Sequence, residues 1–133
     1  MYADVNPILQ ENIGIGVDIE SIDRFRDQEV LGDENFLNKI FTKNELNYCF
    51  SKREPAASIA ARFAGKEAVL KALNHFGRCP LVLSEIEITH DENQVPKVTL
   101  HNKDVEQFQV QISLSHSRDD ALAFAMVVKR GRS

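Results

Sequence analysis

The sequence predicts an α+β fold, a mostly antiparallel sheet packed against a long helix. Three observations carry this. Residues 13–19 alternate strictly, residues 56–76 form an Ala-, Leu-, Lys- and Glu-rich stretch without proline, and period-two alternation returns after Pro80. Helices thus fill the first half of the chain and strands the second, which suits segregated layers better than alternating parallel units. At 133 residues, 43% apolar and 27% charged, the chain has the size and composition of one soluble domain. The expected division is an N-terminal arm, residues 1–12, without a clear period, and one domain over residues 13–133.

In order, Ile13, Ile15, Val17 and Ile19 share one strand face, and Gly14, Gly16 and Asp18 share the other. Ser21 to Glu29 reads as a helix. Asp33 or Asn35 caps a further short helix through Ile40. Thr42 followed by Glu45 fits a capping box that opens a helix through Cys49. Pro55 starts the long helix, Ala56 to Phe76, and Gly77 is a natural stop. Ser84 to Thr89 and Val95 to Leu100 form a hairpin around the turn-like His90 to Gln94. Ile112, Leu114 and His116 lie on one face of a strand, Ser117 to Asp120 turns the chain, and a last strand runs through Leu122, Phe124, Met126 and Val128.

The net charge of −4 disfavours nucleic acid or an anionic membrane as a partner, so any anion must meet a local basic cluster. No apolar run is long enough for a membrane span, and no signal-peptide pattern opens the sequence, so a cytoplasmic location is expected. Cys49 and Cys79 have neither the spacing nor the neighbours of a zinc site or a disulfide framework.

Three places invite chemistry. The first strand thins to hydrogen atoms at Gly14 and Gly16 and then presents Asp18. Such a face suits either a packed helix with Asp18 as a cap, or a closely approaching ligand with Asp18 on a hard cation. On the long helix, Glu67 and Lys71 stand together at i and i+4, either as a surface ion pair or as part of a site, with Arg62 on the other flank. Lys66 falls inside the apolar stripe of Ile59, Phe63, Leu70 and Leu73, where an ammonium needs a snorkelling path or an anionic partner. His116 ends the apolar face of its strand, as a core-edge residue or a ligand. Phosphate-cradling glycine loops and a nucleophile elbow are both missing.

In this order, Gly14-Ile15-Gly16-Val17-Asp18-Ile19, Phe41-Thr42-Lys43-Asn44-Glu45-Leu46, Ala61-Arg62-Phe63-Ala64-Gly65-Lys66-Glu67-Ala68 with Lys71, and Ile112-Ser113-Leu114-Ser115-His116-Ser117 resemble the holo-acyl-carrier-protein synthases. These are the small, single-unit group of the 4′-phosphopantetheinyl transferase superfamily. The resemblance implies transfer of the phosphopantetheine arm from coenzyme A to a serine of an apo acyl carrier protein, as in fatty acid biosynthesis, releasing adenosine 3′,5′-bisphosphate. It also implies Mg²⁺ and a homotrimer with sites between neighbouring subunits. Asp18 and Glu67 match the metal-binding carboxylates, Lys71 the lysine on the reacting phosphate, and Arg62, Lys66 and His116 positions around the coenzyme A phosphates. The proton acceptor is the Glu or a metal-held water.

The helix after Asp18 matches the carrier-docking element, with Arg24 and Arg26 interspersed among Glu20, Asp23 and Asp27. The family's usual Gly-Thr-Gly turn after the lysine is replaced by Asn74-His75-Phe76, and Phe76 suits a left-handed conformation poorly. A non-catalytic module binding coenzyme A or the carrier is the alternative on the same fold. A structural α+β protein whose Glu67 and Lys71 merely pair is the other.

Overall fold

The computed structural model describes residues 12–130, so residues 1–11 of the expected arm lie outside the described residues. Strand β1 spans Ile13–Ser21. The helix expected from Ser21 to Glu29 is instead two single turns, α1 (Asp23–Arg26) and α2 (Gln28–Leu31). Asp27 separates them: its backbone is extended, and its side chain accepts from the Glu29 amide at 2.9 Å as the cap of the second turn. Asp33 caps α3 (Glu34–Ile40) by accepting from the Phe36 amide. The capping box forms on α4 (Lys43–Phe50): Thr42 Oγ1 accepts from the Glu45 amide at 3.2 Å and Glu45 Oε1 from the Thr42 amide at 2.9 Å.

Helix α5 spans Pro55–Leu73, with Pro55 in its first turn where a missing N–H costs nothing. Asn74–Phe76 tightens into a 3₁₀ turn, and the positive φ falls on Gly77, at 118°. Strands β2 (Ile86–His90) and β3 (Pro96–Leu100) pair as an antiparallel hairpin. Strands β4 (Phe108–His116) and β5 (Asp120–Lys129) join β1 in a separate antiparallel sheet of order β1-β5-β4. The α+β expectation holds, with the antiparallel strands divided between two sheets. Among the described residues no helix is long and apolar enough to cross a membrane.

Helix α5 lies on the inner face of the three-stranded sheet, where Ala121, Ala123, Ala125 and Val127 are buried beneath it. The small inner face lets the helix come close. On β1 the approach is backbone to backbone: a methyl group on Gly14 would press into the carbonyl oxygen of Ala72, and one on Gly16 into that of Ala68. Packed helix, rather than ligand, is what these glycines admit. The larger side chains of both strands consequently point outwards. Ile15, Val17 and Ile19 are 63%, 53% and 62% exposed, and Leu122 and Phe124, facing Ile19 and Val17 across the ladder, are 44% and 43% exposed. Met126 and Val128 extend the same apolar surface beside Ile15 and Ile13.

Gly16→Ala should therefore destabilise the fold by on the order of 3 kcal/mol, since the added carbon meets backbone that cannot rotate away. Chemical denaturation checks this. Ser113→Ala, on an exposed strand position, is the matched control and should change stability by less than about 0.5 kcal/mol.

Candidate functional site

Beyond the two glycines, the alternation of β1 carries Asp18 and Glu20 to the same side. Lys71, in the last turn of α5, reaches across to Asp18. Its Nζ donates to Asp18 Oδ1 at 3.1 Å and to the Val17 carbonyl at 2.9 Å. The Asp18 side chain is only 13% exposed, and its Oδ2 is buried without a partner. Burial, and then the Asp18 charge, push the Glu67 carboxyl above its usual range against the opposing pull of Lys71 and Arg24. Glu20 is pushed up to about 7, first by burial and then by a hydrogen bond and charge from Asp18. The cluster is thus rich in carboxylate. A divalent cation would relieve both the crowding and the orphaned Asp18 oxygen. Among the described residues no three His, Cys, Asp or Glu side chains form a ready-made cage, so such an ion would need oxygens from a ligand.

A second, basic cluster surrounds Arg62, which is 2% exposed. Its Nη1 donates to Ser58 Oγ at 3.0 Å and its Nη2 contacts His90 Nδ1 at 2.9 Å. The guanidinium lies 4.3 Å from the centre of the Tyr48 ring, and Lys52 Nζ is 4.4 Å from that ring. These side chains and His116 line a cavity of about 440 Å³. His116 Nδ1 lies 3.2 Å from the Ser117 carbonyl, at the end of β4. A larger cleft, about 680 Å³, separates β3 from β4 and holds none of the residues expected from sequence.

The two clusters do not meet within one chain. Arg62 and Lys71 are nine residues apart on α5, so they project about 180° apart and about 13 Å apart along the axis. Asp18, Glu67 and Lys71 are absent from the lining of the cavity that holds Arg62 and His116. Asp18 with Lys71 forms one cluster, and Arg62 with His116 the other.

Lys66 belongs to neither, which corrects the expectation that it faces cofactor phosphates. It is completely buried, and its Nζ meets Glu45 Oε1 at 2.8 Å and the carbonyls of Leu83 and Ile86. All three ammonium protons are spent. Desolvation pulls its pKa down, opposed by Glu45. Glu45 Oε2 in turn accepts from the Ile88 amide at 2.7 Å, so the pair ties α4, α5 and β2 together. Arg26 is also committed internally, to Asp23 at 2.7 Å, Glu54 at 2.9 Å and the Arg118 carbonyl at 2.7 Å. Arg24 is half exposed, 3.4 Å from Glu20 and over the Phe25 and Phe63 rings. The sequence reading missed Glu20, Tyr48 and His90; only Glu20 carried a signal, two positions from Asp18 on the same strand face.

Residues 14–126 match the sequence profile of the 4′-phosphopantetheinyl transferase superfamily. A relative from Chlamydia trachomatis named holo-[acyl-carrier-protein] synthase is 46% identical over 117 residues, covering 85% of this chain and 97% of its own. The chain belongs to the holo-acyl-carrier-protein synthases of that superfamily. An Aquifex aeolicus synthase is 41% identical over 121 residues, covering 87% of this chain and 98% of its own. The crystal structure of the Helicobacter pylori synthase in complex with coenzyme A superposes with a TM-score of 0.73 at 32% identity, covering 85% and 98% of the two chains. The Bacillus anthracis synthase, in complex with CoA (3′,5′-ADP), gives 0.71 at 28% identity, covering 89% and 96%.

In this synthase the unusual turn after Lys71 is unstrained. Among the described non-glycine residues only Gln94 has a positive φ, and the Phe76 ring packs 4.8 Å from that of Phe108. The buried pair is the more sensitive element. Lys66→Met should cost about 3–5 kcal/mol by stranding Glu45, and adding Glu45→Gln should recover part of that loss. Urea denaturation of the single and double variants reads both.

Proposed function

We propose that this synthase transfers 4′-phosphopantetheine from coenzyme A to a serine hydroxyl of an apo acyl carrier protein, with Mg²⁺, releasing adenosine 3′,5′-bisphosphate. The carrying observation is the Asp18 to Lys71 contact beside Glu67, with one Asp18 oxygen unpartnered. The crowded carboxylates suit a hard divalent ion completed by diphosphate oxygens. Asp18 and Glu67 would hold Mg²⁺, which when bound supplies charge neutralisation for the diphosphate.

The serine oxygen bonds to the β-phosphorus, and the bond from that phosphorus to the bridging diphosphate oxygen breaks. The bridging oxygen leaves on adenosine 3′,5′-bisphosphate. Lys71, whose side chain is 53% exposed, turns its ammonium to the phosphate oxygens as their charge grows. Glu67 accepts the serine proton. Arg62 and His116, which line one cavity, hold the nucleotide phosphates. Half-exposed Arg24 is the cation left for an acidic carrier, whereas Arg26 holds its own chain together.

Because Arg62 and His116 lie across α5 from Lys71, we assign the complete centre to two neighbouring chains of a homotrimer. The exposed apolar surface of Ile15, Val17, Ile19, Leu122 and Phe124 is what such an assembly would cover. A cytoplasmic setting, supplying fatty acid biosynthesis, suits the free thiols of Cys49 and Cys79.

Incubation with apo carrier protein, coenzyme A and Mg²⁺, read by mass spectrometry, should add one phosphopantetheine to the carrier. Glu67→Gln should slow this by about 10²–10⁴-fold while preserving the circular dichroism spectrum. Unchanged turnover would remove Glu67 from the reaction.

A further inference from the structure

Arg62 is held by two of its terminal nitrogens, and the two holds differ in kind. The hydroxyl of Ser58, one turn earlier on α5, accepts at 3.0 Å and moves with the helix. The second partner, His90 Nδ1 at 2.9 Å, stands at the end of β2 and is set by a different element. A guanidinium has donors only, so Nδ1 must offer its lone pair and the ring proton must sit on Nε2. The ring plane is fixed as well, since His90 stacks on Tyr48 with centroids 5.0 Å apart and planes 14° apart. Among charged neighbours, Arg62 and Lys52 disfavour a protonated imidazole and Asp91 favours it, while burial is the largest influence and lowers its pKa.

We propose that neutral His90 is a positioning residue that fixes the plane of the Arg62 guanidinium, and thereby sets the affinity of this cavity for the nucleotide phosphates of coenzyme A. With Nη1 and Nη2 both held, the planar guanidinium cannot turn about its Cδ–Nε bond, the torsion by which an arginine plane reorients. Losing the imidazole acceptor frees that plane, so ordering it becomes a cost of each binding event. His90 touches none of the reacting atoms, so its contribution falls on binding and spares the chemical step. This inference rests on the coenzyme A reading above.

The test has a ligand-free arm and a ligand arm. Nitrogen-15 NMR of the wild-type protein should show His90 as the Nε2–H tautomer; a protonated Nδ1 would overturn the proposal. Calorimetric titration with adenosine 3′,5′-bisphosphate should then give a Kd weakened roughly tenfold by His90→Ala, the scale of one hydrogen bond to a charged group. KM for coenzyme A should rise in parallel and kcat should be retained. His90→Asn places Oδ1 where Nδ1 stood and should restore affinity to within about twofold. His90→Gln, with its acceptor one carbon further out, should not. On an Arg62→Ala background, His90→Ala should have no further effect.

An unchanged Kd, an equal loss without Arg62, or a loss of kcat at constant KM would each overturn the positioning role. Should the wild-type protein show the expected tautomer yet fail to bind the bisphosphate, the coenzyme A reading fails, and the role assigned to His90 falls with it.

Discussion

Helix α5 rests on β1 through bare backbone, at Gly14 and Gly16, and that close approach governs much of the molecule. It brings the last turns of the helix near enough for Lys71 to reach Asp18 and the Val17 carbonyl. It also demands small residues beneath the helix on β5, which Ala121, Ala123 and Ala125 supply. Larger side chains then have to go to the other face of the sheet. A single packing constraint thus yields both an acidic centre with its lysine and an apolar outer surface that water covers poorly.

The helix also keeps the acidic and the basic cluster apart. Lys71 and Glu67 lie towards β1, while Arg62 turns towards Tyr48, Ser58 and His90. No rotamer change brings groups on opposite sides of a helix into one cleft. Under the proposed function, the two clusters are brought together by a second chain, and the apolar sheet face offers the surface on which one can pack. The buried Glu45 and Lys66 pair serves the scaffold: it locks α4 and β2 onto α5 and so fixes where Arg62 and His90 stand.

Local signals in the sequence proved readable. The Thr42 capping box, the proline that opens α5 and the glycine after Phe76 each act within a few residues of themselves. Asp18 stood out because strand alternation placed it beyond two glycines. The break at Asp27 was hidden, since a single side chain that caps the following turn leaves no trace in helical periodicity. Lys66 showed its need for an anion, but Glu45 lies 21 positions away and spacing does not reveal such a partner. The outward face of β5 was hidden for a related reason: alternation separates two faces, and only the approach of α5 decides which is inside. Tyr48 and His90 carried no motif, because the stack that joins them to Arg62 is assembled from α4, β2 and α5.

Subunit complementation tests most directly whether one reaction centre is built from two chains. A Glu67→Gln chain and an Arg62→Ala chain, each impaired alone, are co-expressed with separable tags and the mixed oligomers are isolated. If the halves come from neighbours, interfaces pairing the intact Glu67 of one chain with the intact Arg62 of the other restore transfer. Any mixed ring of three has one such interface, so about a third of the interfaces in the isolated mixed oligomers are intact. Mixed oligomers with no more activity than either parent would show that both halves act within one chain, and the account would be wrong.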